Sequence, residues 1–292
     1  MKVTKAVILA AGLGTRVLPA SKSVPKEMIN IVDKPAMQYL VEEAAASGIT
    51  DVLIITNRGK GVIEDHFDRA PELEAALSGD PGKKDLYECV KNISGLAEVF
   101  FVRQKETKGV ADALLHARAF TGDEPFAVFY GDDVIMGDDP AIGQLCRAYE
   151  KYGKPVAGVQ EVARENIGKY CSLDVSPLDG DRVFNVHRII EKPREDEIMS
   201  LFAILGRYIL TPDIYEMIER TPVNPRGHEV YFTDTLSAAA GEGGLICVNF
   251  EGTRYDMGNK LGIMQANVET ALRHPEIGGD FAEYLKGLAK TL

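Results

Sequence analysis

Cysteine is scarce in this chain: Cys89, Cys146, Cys171 and Cys247 stand far apart, with no CxxC or Cys/His spacing. That scatter argues against a thiolate metal site and, in a chain of 292 residues, against a disulfide framework. Histidine is scarce too, and His66, His116, His187, His228 and His274 suggest no nucleophilic triad. Long apolar runs are missing. No segment reaches the roughly 18 apolar residues of a membrane span, and the opening "MKVTKAVILAAGLG" holds too short a run for a signal peptide. Positive charge is in deficit: 33 Lys and Arg against 44 Asp and Glu leave a net charge of −11. A general nucleic-acid binder would carry a basic face or tail, so that partner class is set aside. The expectation is a soluble cytoplasmic protein with neither a nucleic-acid nor a membrane partner. Small anions remain open, because a few cations gathered in one cleft reverse the local field.

What the chain does have is a full supply of core residues, 45% hydrophobic against 26% charged. Short apolar runs alternate with helical stretches, the pattern of an α/β sheet. Strands are predicted at Lys5–Ala10, Asp51–Thr56, Ala97–Arg103, Phe126–Tyr130, Val156–Val162, Val183–Ile190, Ala203–Leu210 and Leu245–Phe250. "AMQYLVEEAAASG" (36–48) has helical spacing and closes on Gly48, and "DIYEMIERT" and "FTDTLSAAAGEGG" read as further helices. Residues 68–95 form a polar, helix-rich insertion. The tail 259–292 reads as helical, with Leu261, Met264, Val268 and Leu272 on one face. No repeat or low-complexity linker divides the chain, so 1–292 is read as one domain.

The stretch "VILAAGLGTRVLPASKSVPKEM" (7–28) carries the chemistry. A glycine loop after a strand suggests phosphate, yet two common phosphate motifs fail here. "GLGTRV" has valine where a dinucleotide fingerprint needs its third glycine or alanine, and Pro19 and Pro25 prevent an uninterrupted helix. A P-loop needs glycine immediately before Lys-Ser/Thr, and that place is Ser21. What remains is a proline-stiffened strap carrying Arg16, Lys22 and Lys26 past a glycine turn. Its backbone N–H groups can approach anionic oxygens while its cations supply full charge. Such a strap suits a site where a nucleoside triphosphate loses pyrophosphate.

Two further strand ends add to it. "FAVFYGDDVIM" is an apolar strand ending in Asp132 and Asp133, a place where carboxylates can meet a hard cation such as Mg²⁺. "HRIIEKP" ends in Glu191 and Lys192: one carboxylate for neighbouring sugar hydroxyls, one ammonium for a sugar's phosphate.

"LAAGLGTR…PKEM" resembles the signature of the sugar-1-phosphate nucleotidylyltransferases. The ordered set "VDKP" (32–35), "RQ" (103–104), "GDD" (131–133), "EKP" (191–193), "LGRYIL" (205–210), "FTD" (232–234) and "YDMGNKLG" (255–262) is similar to the bacterial UTP–glucose-1-phosphate uridylyltransferases. The resemblance spans residues 5–270. It implies a Rossmann-like three-layer α/β/α fold with a mixed, mostly parallel sheet. It also implies in-line attack of a sugar phosphate on the α-phosphate of UTP, assisted by Mg²⁺, to give UDP-glucose and pyrophosphate. The attacking oxygen is already an anion, so no activated side-chain nucleophile is required; positioning, cations and a metal must overcome the repulsion.

By the same resemblance, Ala11 and Gly12 hold the nucleoside, Glu27 and Gln104 read the uracil edge, and Gly109 presses near the base. Arg16 and Lys26 carry the triphosphate charge, and Lys192 meets the sugar phosphate. Glu191 takes sugar hydroxyls and Gly206 allows close backbone approach to the sugar, with Tyr170 and Cys171 nearby. Asp256 binds the metal together with Asp132 or Asp133, a choice the sequence leaves open. Relatives form dimers or tetramers, so a homodimer or homotetramer is expected.

Three places depart from the family pattern: "GVADA" (109–113) stands where "GLGHA" is usual, "YCS" (170–172) where "YGV" is common, and "GHEVYFTD" (227–234) for "GDEIQLTD". They bear on sugar choice. The alternatives kept open are transfer from dTTP or to another hexose 1-phosphate, and a non-catalytic nucleotide-sugar sensor.

Overall fold

Each of the eight apolar runs becomes a strand of one sheet. The structure, a computed structural model, describes residues 1–225 and 227–291. Its strands in chain order begin with β1 (Lys5–Leu9), β2 (Asn30–Ile31), β3 (Lys34–Pro35), β4 (Asp51–Thr56), β5 (Glu98–Arg103), β6 (Phe126–Tyr130) and β7 (Asp133–Met136). They continue with β8 (Val156–Glu161), β9 (Cys171–Asp179), β10 (Val183–Glu191), β11 (Phe202–Leu210), β12 (Ile246–Asn249) and β13 (Thr253–Asp256). Nine of them form a sheet in the order β5-β4-β1-β6-β11-β8-β12-β10-β9. The pairing senses make it mixed and mostly parallel: only β11 and β10 run against the other seven. Two small antiparallel pairs stand outside it, β2 with β3 and β7 with β13.

Strand alternation sends side chains to both faces, and helices cover each. In β1, Ala6 and Ile8 join a core with Met37, Leu40 and Leu145, while Val7 joins another with Leu114, Tyr215 and Leu236. Every one of these side chains is essentially sealed from water. A third, smaller cluster of Ile31, Ala36, Val134, Tyr255, Met257 and Ala266 fixes the β7–β13 pair to β2, to the start of the helix Ala36–Ala46 and to the helix Lys260–Arg273.

Three expectations need correction. Strand β9 went unforeseen because it is an edge strand: beyond Leu173 no residue is buried, and Val175, Pro177 and Leu178 are interrupted by Asp174, Ser176 and Asp179, so no apolar run marks it. The tail is two helices, Lys260–Arg273 and Gly278–Ala289, with Pro275 in the break. Its apolar face also points outward: Leu261, Met264 and Leu272 are 67%, 58% and 42% exposed, while Gly262, Ala266 and Ala271 are buried. The insertion contributes helices Pro71–Ser78 and Lys84–Ile93 around an exposed turn. Among the described residues, no helix is long and apolar enough to cross a membrane.

Candidate active site

The loops after β1, β4, β5 and β6 gather at the carboxyl ends of those parallel strands, where ligands of open α/β sheets bind. The strap forms no continuous helix; it takes three short 3-10 turns, Thr15–Val17, Ala20–Lys22 and Lys26–Met28. Two of its cations converge on the end of β6. Lys26 Nζ lies 2.5 Å from Asp132 Oδ2, and the Arg16 guanidinium reaches Asp132 at 3.6 Å and Asp256 at 3.3 Å. Burial disfavours the Lys26 charge, but Asp132 and Glu27 outweigh it and hold the pKa above the usual lysine value. Burial likewise works against the Asp132 carboxylate, and Lys26 and Arg16 overcome it and keep its pKa low. Both groups are ionised at neutral pH.

Asp256 is held from its own loop, accepting from Gly258 N at 2.8 Å and from Asn259 Nδ2 at 3.0 Å. A Cβ on Gly258 would fall 2.6 Å from Asp132 Oδ2 and 2.8 Å from Asp256 Oδ1, with Arg16 closing the third side. That cradle of hard oxygen donors suits a divalent cation that keeps most of its waters. Among the described residues, no group of three or more His, Cys, Asp or Glu gathers to hold a metal ion; two carboxylates, Asp132 and Asp256, face this cradle.

The adjacent aspartates meet different surroundings, as neighbours entering a strand must. Asp133 is buried and clasped by Arg254, whose Nε lies 2.8 Å and whose terminal nitrogen 2.5 Å from Oδ1. Burial pushes its pKa up to about 6, with Arg254 opposing. Gly206, with φ of +70°, backs onto the same carboxylate: a Cβ there would sit 2.5 Å from Asp133 Oδ2. The missing side chain of Gly206 makes room for a carboxylate of the protein, Asp133, which itself lines the cleft.

On the nucleotide side, Ala11 and Gly12 begin the strap. The Ala11 carbonyl accepts from Asn57 Nδ2, and the Ala10 carbonyl from Lys60 Nζ. Lys60 also grips both oxygens of Glu27, at 2.9 and 2.8 Å, and Glu27 is fully sealed from water. Burial raises the Glu27 pKa and lowers that of Lys60, each partner partly restoring the other. Gln104, at the end of β5, lies against Gly109 and Asp112, and the Glu229 carboxylate covers Gly109 where a Cβ would project.

On the other side, a cleft of about 250 Å³ is lined by Arg16, Asp132, Asp256, Tyr170, Cys171 and Glu191. Burial lifts the Glu191 pKa above the usual range, and Lys192 opposes it. Cys171 sits opposite Glu191 in the β9–β10 ladder, its Sγ accepting from Ile204 N at 3.4 Å. Burial pushes this thiol up to about 12, so it is an inert wall residue at neutral pH. Lys192 stands apart from the other two cations. It is exposed, with φ of +46°, its amide donating to the Tyr170 carbonyl and its Nζ 5.8 Å from the Tyr231 ring.

The pattern of the whole chain agrees with this geometry. Residues 5–272 match the model of the family described as nucleotidyl transferase. The chain belongs to the nucleotidyl transferase family. It is 46% identical over 287 residues to a UTP–glucose-1-phosphate uridylyltransferase of Staphylococcus epidermidis, covering 98% of this chain and 99% of that one. It is similar to a UDP-glucose pyrophosphorylase crystallised with UDP-glucose, at 35% identity and a TM-score of 0.85 over 93% of this chain and all of that one. A UTP-bound UGPase from Acinetobacter baumannii gives 31% identity and a TM-score of 0.86, covering 97% of this chain and 98% of that one.

Three residues of this nucleotidyl transferase that support the site went unforeseen. Lys60 and Arg254 are lone cations in sequence and become partners only through contacts more than 30 residues away. Arg207 lies within "LGRYIL", where the apolar neighbours mask it. Fully buried, it pairs with Glu43 at 2.7 Å and donates to the Asp133 carbonyl at 2.9 Å, fixing the loop that presents Asp132.

Proposed function

We propose that this chain transfers the uridylyl group of UTP to glucose 1-phosphate, giving UDP-glucose and pyrophosphate. The observation that carries the reading is the meeting of Arg16 and Lys26 with Asp132 and Asp256 at the mouth of a cleft that continues to Glu191. The relatives named for that reaction cover nearly the full length of both chains.

An oxygen of the sugar phosphate attacks the α-phosphorus as the bond to the bridging oxygen of pyrophosphate breaks, and the electron pair leaves with pyrophosphate. Lys26 and Arg16 stabilise the charge that builds on the phosphoryl oxygens; Lys26 is largely buried, where its charge counts for more than in water, and Arg16 is 62% exposed. Ala11, Gly12, Gln104 and Gly109 form the base and ribose wall; Glu27, expected from the sequence to read the uracil edge, is sealed from water and held on both oxygens by Lys60, so it supports that wall from behind. Glu191 accepts from sugar hydroxyls, Tyr170 and Cys171 shape that wall, and Lys192 turns from Tyr231 toward the sugar phosphate. Asp132 and Asp256 would hold Mg²⁺, which neutralises phosphate charge when bound; Asp133, with Gly206 behind it, supports the loop through Arg254.

The whole chain works as one nucleotidyltransferase domain in the cytoplasm, and the exposed stripe of Leu261, Met264 and Leu272 favours a homodimer or homotetramer. The test is pyrophosphate release measured across UTP, dTTP and several hexose 1-phosphates in Mg²⁺. Turnover that is fastest with UTP and glucose 1-phosphate is expected. Faster turnover with dTTP or another sugar would reassign the substrate, and binding of UDP-glucose without turnover would make the chain a sensor.

A further inference from the structure

We propose that Asp112 is the positioning residue that sets nucleobase choice, by locking the side-chain amide of Gln104 with its carbonyl toward the base. The inference rests on the reading of Gln104 as a base contact and deepens it. Gln104 is anchored at the end of β5, its backbone N–H donating to the Thr56 carbonyl at 2.9 Å. Its side-chain amide meets two groups: Asp112 Oδ2 at 2.6 Å and the Gly109 carbonyl at 3.4 Å.

A carboxylate and a backbone carbonyl only accept hydrogen bonds, so the NH₂ end of the amide must face both. An amide turned the other way would set its oxygen against two acceptors. The carbonyl end is left to the remaining direction. It accepts no hydrogen bond among the described residues, and it is not one of the sealed, unpartnered polar atoms, so it keeps a small accessible face in a residue that is only 3% exposed.

Asp112 is itself flanked by His116 Nε2 at 3.7 Å. Uracil presents a donor at N3, whereas cytosine presents a lone pair there. A carbonyl fixed opposite N3 accepts from the first and repels the second. Selection of this kind needs an amide that cannot rotate, because a free glutamine would turn to suit either base.

The experiment compares kcat/KM for UTP and CTP in the wild type, in Asp112→Asn and in Gln104→Leu. An asparagine at 112 can donate as well as accept, which permits both amide orientations at nearly constant shape. The expected result is a fall in the UTP-to-CTP preference of on the order of tenfold in Asp112→Asn, with kcat at saturating UTP retained. A preference unchanged in Asp112→Asn but altered in Gln104→Leu overturns the role of Asp112 and keeps Gln104 as the base contact. A preference unchanged in both overturns the base contact itself. Should Asp112→Asn lose its native circular dichroism, Asp112→Ala, which also frees the amide, is scored by the same outcomes.

Discussion

Adding one methyl group at Gly258 tests the cation cradle without touching any charge. Gly258 is buried, and its φ lies outside the region that disfavours alanine, so the consequence of Gly258→Ala is set by space. The new Cβ would stand 2.6 Å from Asp132 Oδ2 and 2.8 Å from Asp256 Oδ1. To restore ordinary contact at 3.4 Å, the two carboxylates must withdraw by roughly 0.6–0.8 Å, and Arg16 must move as well. A misplacement of about 1 Å in a reacting constellation lowers the rate by about 10²-fold. Overpacking of this size costs about 1–3 kcal/mol of stability.

The expected phenotype is a folded protein whose kcat for pyrophosphate release falls by about 10²-fold and whose half-saturating Mg²⁺ concentration rises by about 10-fold or more. Magnesium titrations of initial rate, with circular dichroism as the folding control, measure both. A kcat and a Mg²⁺ requirement within about threefold of wild type would show that the space between Asp132 and Asp256 is not where the ion acts, and the reasoning from the cradle would fail.

Other consequences follow from the same geometry. Lys26→Met should lower kcat by about 10²–10³-fold, about 3–4 kcal/mol, with a smaller change in the KM for UTP; an effect confined to KM would make Lys26 a ground-state binding group. Glu191 has its pKa raised by burial, and its ionised form is the one that accepts from sugar hydroxyls. The kcat/KM for glucose 1-phosphate should therefore fall with decreasing pH through a pKa above the ordinary glutamate value of about 4.3. Glu191→Gln should remove that step and leave the substrate's own phosphate ionisation near about 6; an unchanged profile would clear Glu191 of the role. Glu43→Ala strands the Arg207 guanidinium in the core and should cost about 3–5 kcal/mol in urea denaturation. A loss under about 1 kcal/mol would mean that Arg207 finds another partner or water.

The sequence by itself determined the eight apolar strands, the strap and the chemistry of its cations, because apolar runs, glycines, prolines and charges are local properties of the chain. Strand β9 escaped because an edge strand needs no apolar run to hold its place. Periodicity put Leu261, Met264 and Leu272 on one side of a helix, and only the packing of Gly262, Ala266 and Ala271 inward decided that this side faces out. Two adjacent aspartates look alike in sequence. Tertiary structure parted Asp132 from Asp133 by setting Lys26 beside one and Arg254 beside the other, partners more than 100 residues away. Lys60 under Glu27, Arg207 behind Asp133 and Asp112 against Gln104 became visible in the same way. A charge acquires its role from the neighbour that the fold brings to it, and that neighbour is rarely near in the chain.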